Sequence, residues 1–390
     1  MPTVNVTTVV GARPQFIKAA AVSRAIADLN RAAGEPRLRE RIVHTGQHYD
    51  PGMSQVFFDE IGIPPPAVNL EVGSGSHGHQ TGRMLERLEQ DLVASRPDWV
   101  LIYGDTNSTL AGALASAKLH VPVAHVEAGL RSYNRRMPEE INRVVADGLS
   151  TLLFCPTRVA VENLAKEGIT QGVHRVGDVM YDSVLFHASQ AERRSDMMAR
   201  LGLKPKSFYL ATVHRAENTD DAERLSAILA SFAQIRVPVV IPMHPRTRKT
   251  LGTPRGDAGA RAGRARLAAT RARLASERVG GEVRVIDPVS YLDMLALERN
   301  ARIILTDSGG VQKEAYWFGV PCVTLRDETE WVELVEAGCN RVVGADPRAI
   351  GRAVADFEAA GASLPPDRPA DLYGDGHGAE KIVALLGARP

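Results

Sequence analysis

Short runs of β-branched and other apolar residues alternate with helical stretches along most of this 390-residue chain. The first run, Val4–Val10, is followed by a Gly-Ala-Arg-Pro turn and by a helix predicted over Phe16–Leu29. Further strands in the first half are predicted over Arg41–Thr45, Trp99–Tyr103, Val121–Val126 and Leu152–Cys155. Such alternation is typical of βαβ units, whose strands form a parallel sheet.

The same pattern restarts in the second half of the chain. Strands are predicted there over Phe208–Thr212, Val237–Pro242, Val283–Ile286, Ile303–Thr306 and Cys322–Leu325. The length of the chain also exceeds what one hydrophobic core usually serves. We therefore predict an α/β fold of two Rossmann-like domains, 1–185 and 186–370, with the boundary inside the charged helical segment Val176–Lys206.

Composition narrows the classes of function. The formal net charge of +1 argues against a nucleic-acid or acidic-membrane partner, which needs a strong basic excess. No apolar run reaches the roughly 18 residues of a membrane span, and the first residues lack the basic region of a signal peptide. Cys155, Cys322 and Cys339 have no CxxC spacing and are predicted as buried thiols of a cytoplasmic protein.

Polar clusters follow six of the predicted strands. They are Gly11–Lys18, Gly104–Thr109, His125–Arg131, His214–Asn218, His244–Arg248 and Asp307–Gly310. Ligands of open α/β sheets bind at the carboxyl ends of the strands. Ordinary loop polarity explains one or two such clusters but hardly six, so we predict one large cleft between the domains.

Two of these clusters have the build of an anion site. Ser308-Gly309-Gly310 leads from a strand into a helix, whose first N–H groups can point at a phosphate, although a Gly-Gly pair can also be a simple tight turn. Arg13 and Lys18 lie beside another helix start. The two sites together suit a diphosphate.

Charged side chains near these sites have two interpretations each. Arg13, His214 and Arg215 suit a diphosphate, or each could be a surface salt-bridge residue. Glu314, in the helix after the glycines, suits the two hydroxyls of a ribose, or it could lie on a solvated helix face.

Acidic residues are candidates for proton transfer. Asp105 and Glu127 each follow an apolar strand that runs toward the predicted cleft. Glu139 and Glu140 follow Pro138 at a helix start, where acids also complement the helix dipole, so both roles stay open for them. The sequence has no HExxH motif, Cys/His cluster or DxD run that would indicate a metal site.

Together these segments resemble the non-hydrolysing UDP-N-acetylglucosamine 2-epimerase family over nearly the whole chain. The matching segments, in the family's order, are GARPQFIK, HTGQHYD, GDTNSTLAGA, HVEAGLRS, MPEEINR, TVHRAEN, HPRT, LTDSGGVQKEA and DLYGDGHGAEKI. The resemblance implies a GT-B-like fold, in which two Rossmann-like domains with parallel sheets face a central cleft. It also implies that a final helix within 371–390 packs back on the first domain.

The resemblance further implies a role for each matching residue. The residues that would hold UDP are Arg13, His214, Ser308, Gly309, Gly310 and Glu314. Residues that would line the site less directly are Lys18, Arg215, His244, Arg248 and Lys313. The catalytic candidates are Asp105, Glu127, Glu139 and His214. The resemblance implies a homodimer that uses neither a cofactor nor a metal.

The implied reaction has a physical rationale. The C2 proton of such a sugar is not next to a carbonyl, so its direct removal would give a poor carbanion. Elimination avoids this problem, because the C1–O bond to UDP breaks as the C2 proton leaves, which gives a 2-acetamidoglucal and UDP. UDP then adds back while a proton arrives on the opposite face of C2. This needs acid/base groups on both faces and stabilisation of the departing diphosphate.

Four positions depart from the commonest family pattern. Gln15 stands where many members carry Glu, Lys313 replaces the first Glu of Gln-Glu-Glu, and Trp331-Val332 replaces the Arg-Pro of Thr-Glu-Arg-Pro-Glu. These residues are similar to a subgroup that acts on UDP-2,3-diacetamido-2,3-dideoxyglucuronate, whose C6 carboxylate would suit a more positive region. The alternative is drift at helix-surface positions. UDP-N-acetylglucosamine is the predicted substrate and the uronate is the alternative.

Two further stretches bear on regulation and partners. No Arg lies in Val72–Gln80, where some bacterial members bind an activating UDP-sugar, so that form of control is not expected. Leu251–Val279 is predicted as an Arg/Ala-rich surface helix.

Three other functions compete with the epimerase prediction. A GT-B glycosyltransferase would not need the three carboxylates together. A hydrolysing epimerase would release the free sugar and UDP. A non-catalytic sensor of UDP-sugars should have lost one of the carboxylates, and none is missing from the sequence.

Overall fold

The computed structural model describes residues 3–34, 37–47, 58, 60–243, 247 and 282–387. They divide into two compact units, Met1–His187 with Asp371–Pro390 and Ala188–Ala370. Each unit contains one wholly parallel sheet with helices between its strands. The prediction of an α/β fold with two parallel-sheet domains is confirmed.

The first unit is a seven-stranded sheet. Its strands are β1 Val4–Val10, β2 Leu38–His44, β3 Val68–Asn69, β4 Trp99–Tyr103, β5 Val123–Val126, β6 Leu152–Cys155 and β7 Val173–Arg175. Its helices are α1 Arg13–Ala33, α2 His77–Ser95, α3 Asn107–Lys118, α4 Pro138–Leu149, α5 Arg158–Lys166 and the first part of α6 Val179–Arg194, whose residues from Ala188 belong to the second unit. The strand order β3-β2-β1-β4-β5-β6-β7 reverses between β1 and β4, which is where open α/β sheets bind ligands.

Burial explains why these strands read as continuous apolar runs. All five residues of β4 are buried, as expected for a parallel strand covered on both faces. On α2, Met84, Leu88 and Leu92 recur every fourth residue and form the stripe that packs against the sheet. The core of this unit therefore follows from the continuous apolar strands and from the helical spacing of the apolar residues on α2.

The second unit repeats the design with six strands. They are β8 Tyr209–Thr212, β9 Val239–Pro242, β10 Val283–Ile286, β11 Ile304–Thr306, β12 Cys322–Thr324 and β13 Asn340–Val342, in the order β10-β9-β8-β11-β12-β13. Its helices are α7 Met197–Arg200, α8 Ala216–Thr219, α9 Ala222–Phe232, α10 Tyr291–Asn300, α11 Gly309–Trp317, α12 Val332–Glu336 and α13 Pro347–Ala359. The switch point lies between β8 and β11.

The chain ends in a segment that belongs to the first unit. Helix α14, Gly378–Leu386, begins where Asp182 Oδ1 accepts a 2.7 Å hydrogen bond from the backbone N–H of Ala379. The N–H of Asp178 donates to the carbonyl of Tyr373. These bonds hold the last part of the chain against α6.

Some element boundaries differ from the predictions. Helix α1 begins at Arg13 rather than Phe16, because Pro14 lies in the first turn, where its missing N–H costs no hydrogen bond. The strands β3, β7 and β13 were not predicted, since two or three residues are too short to show a period. All three cysteines are buried and outside disulfides, which confirms their prediction as buried thiols. In the part of the chain that the structure describes, no helix is long and apolar enough to span a membrane.

Candidate active site

In the first unit, an ion pair lies where the ends of β4 and β5 meet the first helix. Lys18 of α1 donates to Glu127 Oε2, and their side chains are only 10% and 9% exposed. A Cβ atom at Gly104 would lie 3.3 Å from Glu127 Oε2 and 3.4 Å from Lys18 Nζ. Gly104 also has a φ of +62°. The positive φ therefore favours glycine at this turn, and a Cβ atom there would be in tight contact with the end of the Glu127 side chain.

The backbone of Glu127 is itself strained. Its φ of +72° lies in the left-handed region, which costs a non-glycine residue about 1–3 kcal/mol. The N–H groups of Glu127 and Ala128 both donate to the carbonyl of Phe154 at 3.1 Å, which holds this conformation. Such strain is retained mostly at functional sites, so the backbone geometry supports the prediction that Glu127 is a catalytic residue.

Asp105 is held by a buried cation but stays accessible. Arg143 of α4 donates to Asp105 Oδ2 at 2.5 Å and to Glu140 Oε2 at 2.8 Å. The side chain of Arg143 is 5% exposed, whereas that of Asp105 is 31% exposed. Asn142 also donates to the carbonyl oxygen of Asp105 at 2.8 Å. Asp105 is thus an oriented carboxylate with one side open.

The structure separates the two acids of α4. Glu140 is buried and accepts hydrogen bonds from the N–H groups of Ser132 and Tyr133, each at 2.9 Å. Burial alone would raise the pKa of Glu140, but these two N–H groups and Arg143 outweigh it and hold that pKa below its ordinary value. Glu140 therefore fixes the loop after β5. Glu139, in the same first turn, is only half-buried.

Hydrogen bonds between buried polar side chains hold the same loops in place. Both ring nitrogens of His125 face acceptors at 2.7 Å, Asp147 Oδ1 on one side and the carbonyl of Gly104 on the other. Arg131 donates to the second oxygen of Asp147 at 2.7 Å. His125 and Asp147 thus fix the turn that carries Asp105. The HVEAGLRS segment contains His125 and Arg131, but nothing in the sequence showed that they meet Asp147.

Gln15 is also a structural residue. Its Oε1 accepts the N–H groups of Gly11 and Ala12 at 2.8 and 3.0 Å, and its Nε2 donates to the carbonyl of Tyr103 at 2.7 Å and to Thr109 Oγ1 at 3.0 Å. Both amide hydrogens are used. The alternative of drift at a helix-surface position is wrong for Gln15, because its side chain is buried. Arg13, in the same helix start, is half-buried.

In the second unit, one buried carboxylate organises the loop after β8. Asp307 is fully buried and accepts the N–H groups of His214 and Arg215 at 3.0 and 2.9 Å, and Asn218 Nδ2 at 3.0 Å. His214 Nδ1 lies 3.3 Å from Asp307 Oδ1, with the ring 35% exposed. The imidazole is therefore oriented and partly open to a ligand.

The adjacent loop after β11 starts helix α11. Ser308 is its N-cap and accepts the N–H of Val311 at 3.5 Å. A Cβ atom at Gly309 would lie 2.6 Å from Glu330 Oε1 and 3.3 Å from Trp331 Nε1, whereas one at Gly310 would meet only Ser308 Oγ, at 3.9 Å. The first glycine is thus required by packing, and the second leaves the first turn of the helix uncovered.

The two charged residues of α11 are both buried. Glu314 is 6% exposed and Lys313 is 1% exposed, so neither lies on a solvated helix face. The Lys313 ammonium sits 3.9 Å from the ring centroid of Trp331 and 5.8 Å from that of Trp317. Two of the four departures from the commonest family pattern, Lys313 and Trp331, thus pack against each other in a cation–π contact.

The predicted site residues therefore form two groups. Lys18, Asp105 and Glu127 occupy the switch point of the first sheet, while His214, Arg215, Ser308 and Gly309 occupy that of the second. His244, Arg248 and the stretch 251–279 lie outside the described residues. Sequence reasoning missed the supporting roles of Arg143, His125 and Asp307, although all three stand inside quoted motifs.

Comparison with known proteins gives consistent matches. A sequence model of the UDP-N-acetylglucosamine 2-epimerase family matches residues 30–387. The chain is 48% identical over 392 residues to the UDP-2,3-diacetamido-2,3-dideoxy-D-glucuronate 2-epimerase of Pseudomonas aeruginosa, covering 98% of this chain and 99% of the relative. It is 39% identical over 386 residues to the UDP-N-acetylglucosamine 2-epimerase of Methanocaldococcus jannaschii, covering 97% of each.

A solved structure agrees. The crystal structure of the Methanocaldococcus jannaschii enzyme in complex with UDP-GlcNAc and UDP matches with a TM-score of 0.83 and 40% identity. The match covers 98% of this chain and 99% of that chain.

Proposed function

The chain belongs to the UDP-N-acetylglucosamine 2-epimerase family, and from that premise we propose that it interconverts UDP-N-acetylglucosamine and UDP-N-acetylmannosamine by inverting C2. The epimerase class and the GT-B-like fold expected from the sequence are confirmed by the relatives. The observation that carries the proposal is the pair of oriented carboxylates, Asp105 against Arg143 and Glu127 against Lys18.

The second unit would supply the nucleotide site. We assign the diphosphate to the first turn of α11, at Ser308, Gly309 and Gly310, because its N–H groups and helix dipole favour an anion. His214 and Arg215 would add hydrogen bonds and positive charge from the loop that Asp307 fixes. Arg13 would contribute from the start of α1. Glu314 would accept the ribose hydroxyls.

The first unit would supply the proton transfers. In the elimination step, one of the carboxylates of Asp105, Glu127 and Glu139 takes the C2 proton. The electrons of the C2–H bond form the C1–C2 double bond, and the C1–O bond breaks with its electron pair leaving on UDP. In the return step, a UDP oxygen attacks C1 and the double-bond electrons take a proton at the other face of C2. Oriented acid/base groups contribute about 10²–10⁴-fold to such steps.

A second candidate substrate has its own support. The relative that is 48% identical acts, by its name, on UDP-2,3-diacetamido-2,3-dideoxy-D-glucuronate. Lys313 makes this region more positive, and we propose that it binds the C6 carboxylate of such a substrate. Lys313 is buried against Trp331, which also gives it a structural role. The effect of its substitution on turnover must therefore be measured with both substrates. Lys313→Met should lower turnover of the uronate at least tenfold more than turnover of the neutral sugar if the charge acts on substrate.

The test is a product analysis with both substrates. The protein is incubated separately with UDP-N-acetylglucosamine and with the diacetamido uronate, and the products are separated by anion exchange. UDP-N-acetylmannosamine from the first substrate supports the main proposal, and conversion of the uronate alone supports the second candidate. Free N-acetylmannosamine with UDP would indicate a hydrolysing enzyme. No product from either substrate, from protein that binds UDP, would contradict both.

Three further properties belong to the same proposal. We propose a homodimer, on the resemblance alone, which light scattering after size exclusion can test. We also propose a cytoplasmic enzyme that supplies precursors of surface polysaccharides. We propose, third, that UDP-N-acetylglucosamine does not activate the enzyme, because no Arg lies in Val72–Gln80. A reaction rate that rises in proportion to substrate occupancy, with no activation when UDP-N-acetylglucosamine is added, would support this.

A further inference from the structure

A buried side-chain amide contacts the main chain of the turn that carries Asp105. Asn142, on α4, is 4% exposed, and its Nδ2 donates to the backbone carbonyl of Asp105 at 2.8 Å. Among the described residues, no backbone N–H donates to that carbonyl, which lies immediately before the N-cap of α3. Asn142 therefore restrains the main chain of Asp105, while Arg143 restrains its carboxylate.

Asn142 is itself held by two further amides. Its Nδ2 also donates to Asn107 Oδ1 at 3.4 Å, and Asn107 Nδ2 donates to Gln80 Oε1 at 2.8 Å. Gln80 Nε2 in turn donates to the carbonyls of Gly73 and Gln47, at 2.8 and 3.2 Å. Asn107 and Gln80 are both buried. These hydrogen bonds connect α4, α3 and α2 and end on the backbone.

The direction of these hydrogen bonds is fixed by the carbonyls at both ends. A backbone carbonyl can only accept, so the nitrogen of Gln80 faces Gly73 and Gln47, and its oxygen faces Asn107. Asn107 therefore uses its nitrogen toward Gln80 and presents its oxygen to Asn142. One orientation of the Asn142 amide, with its NH₂ group toward both acceptors, satisfies this arrangement.

We propose that Asn142 is a positioning residue, whose amide holds the main chain of Asp105 so that its carboxylate is correctly placed for proton transfer at C2. The inference rests on the proposed function, which makes Asp105 an acid/base candidate. The side chain of Asp105 is 31% exposed, so packing alone does not fix it. A displacement of about 1 Å can cost about 100-fold in rate. Because Arg143 would still hold the carboxylate, loss of the Asn142 bond should cost about tenfold.

Two variants remove the donated hydrogen bond in different ways. Asn142→Asp keeps the shape of the side chain and loses its N–H donors, whereas Asn142→Leu keeps the approximate volume and adds no charge. The matched control is Asn30→Asp on α1, because Asn30 Nδ2 also donates to a backbone carbonyl, that of Leu38, at 2.8 Å. Leu38 lies at the amino end of β2, away from the strand ends that carry the predicted site.

The measurements are kcat for the substrate that wild type converts and calorimetric affinity for UDP. Both Asn142 variants should lose about tenfold of kcat and bind UDP normally, because UDP is assigned to the second unit. Asn30→Asp should be normal in kcat and in UDP affinity. Each Asn142 substitution is also combined with Asp105→Asn. There it should lower the remaining turnover by less than about twofold, because the group that Asn142 positions no longer acts.

Two outcomes would overturn the inference while the proposed function stands. Normal kcat in either Asn142 variant would show that the donated hydrogen bond is not needed. A tenfold loss that persists in the Asp105→Asn background would show that Asn142 acts on the fold and not through Asp105. Near-normal turnover of Asp105→Asn alone would instead remove the catalytic assignment, and the inference with it. No product from wild type with either substrate would contradict the proposed function itself.

Discussion

The two glycines at the start of α11 should respond in opposite ways to the same substitution. An alanine Cβ at position 309 would lie 2.6 Å from Glu330 Oε1, which is closer than carbon and oxygen can approach. The carboxylate of Glu330 cannot retreat freely, because it accepts a 2.8 Å hydrogen bond from Arg326, which is 2% exposed. At position 310 the nearest atom would be Ser308 Oγ at 3.9 Å.

The magnitudes follow from two opposing effects. Neither glycine has a positive φ, so alanine reduces the entropy of the unfolded chain and stabilises by about 0.4–1 kcal/mol. Overpacking costs about 1–3 kcal/mol, and it applies only at position 309. Gly309→Ala should therefore be less stable than Gly310→Ala by about 1–3 kcal/mol. For a domain of this size, each kcal/mol shifts the unfolding midpoint by about 2–4 °C.

Thermal unfolding without ligand measures this difference. The second unit should melt lower in Gly309→Ala than in wild type, and at or slightly above the wild-type temperature in Gly310→Ala. Circular dichroism before melting would show that both variants are folded. Equal melting temperatures for the two variants would refute the claim that Glu330 is pinned against Gly309 and that the glycine is there for packing.

Other substitutions test the first unit. Asp105→Asn and Glu127→Gln should bind UDP normally in calorimetry but lose at least about 100-fold of turnover. The surface control Asp28→Asn should show normal UDP binding and normal turnover. Near-normal turnover in both site variants would contradict the catalytic assignment. Glu140→Gln should destabilise at pH 7 by about 1–3 kcal/mol, because two N–H groups and Arg143 lose their carboxylate. Since the pKa of Glu140 is lowered in the folded state, its contribution is present above the pKa of the unfolded chain and is lost as pH falls through the folded pKa. Melting curves of wild type and Glu140→Gln should therefore converge at acid pH, and a constant gap would contradict this.

Much of the architecture was predictable because it depends on local periodicity. Apolar runs such as Trp99–Tyr103 and Ile303–Thr306 are buried on both faces, so they stand out from their flanking helices in the sequence alone. The rule that ligands bind at the carboxyl ends of strands then predicted Asp105 and Glu127 as site residues. The structure gives both residues charged partners at those positions.

The parts that were missed depend on contacts between distant segments. Arg143 is an ordinary helix residue until the fold brings Asp105, which is 38 positions away, within 2.5 Å of it. Gln15 and Lys313 looked like surface charge changes, because their burial is set by elements that arrive later in the chain.

Proton NMR of the protein with UDP-N-acetylglucosamine in D₂O tests the proposed epimerisation most directly. We expect a new anomeric signal for UDP-N-acetylmannosamine, with deuterium entering C2 of both sugars as the elimination reverses. Deuterium at C2 requires a proton transfer at that carbon, so Glu127→Gln should suppress both changes together. Epimerisation without deuterium at C2, or release of free sugar in place of a UDP-linked product, would contradict the elimination and re-addition of UDP.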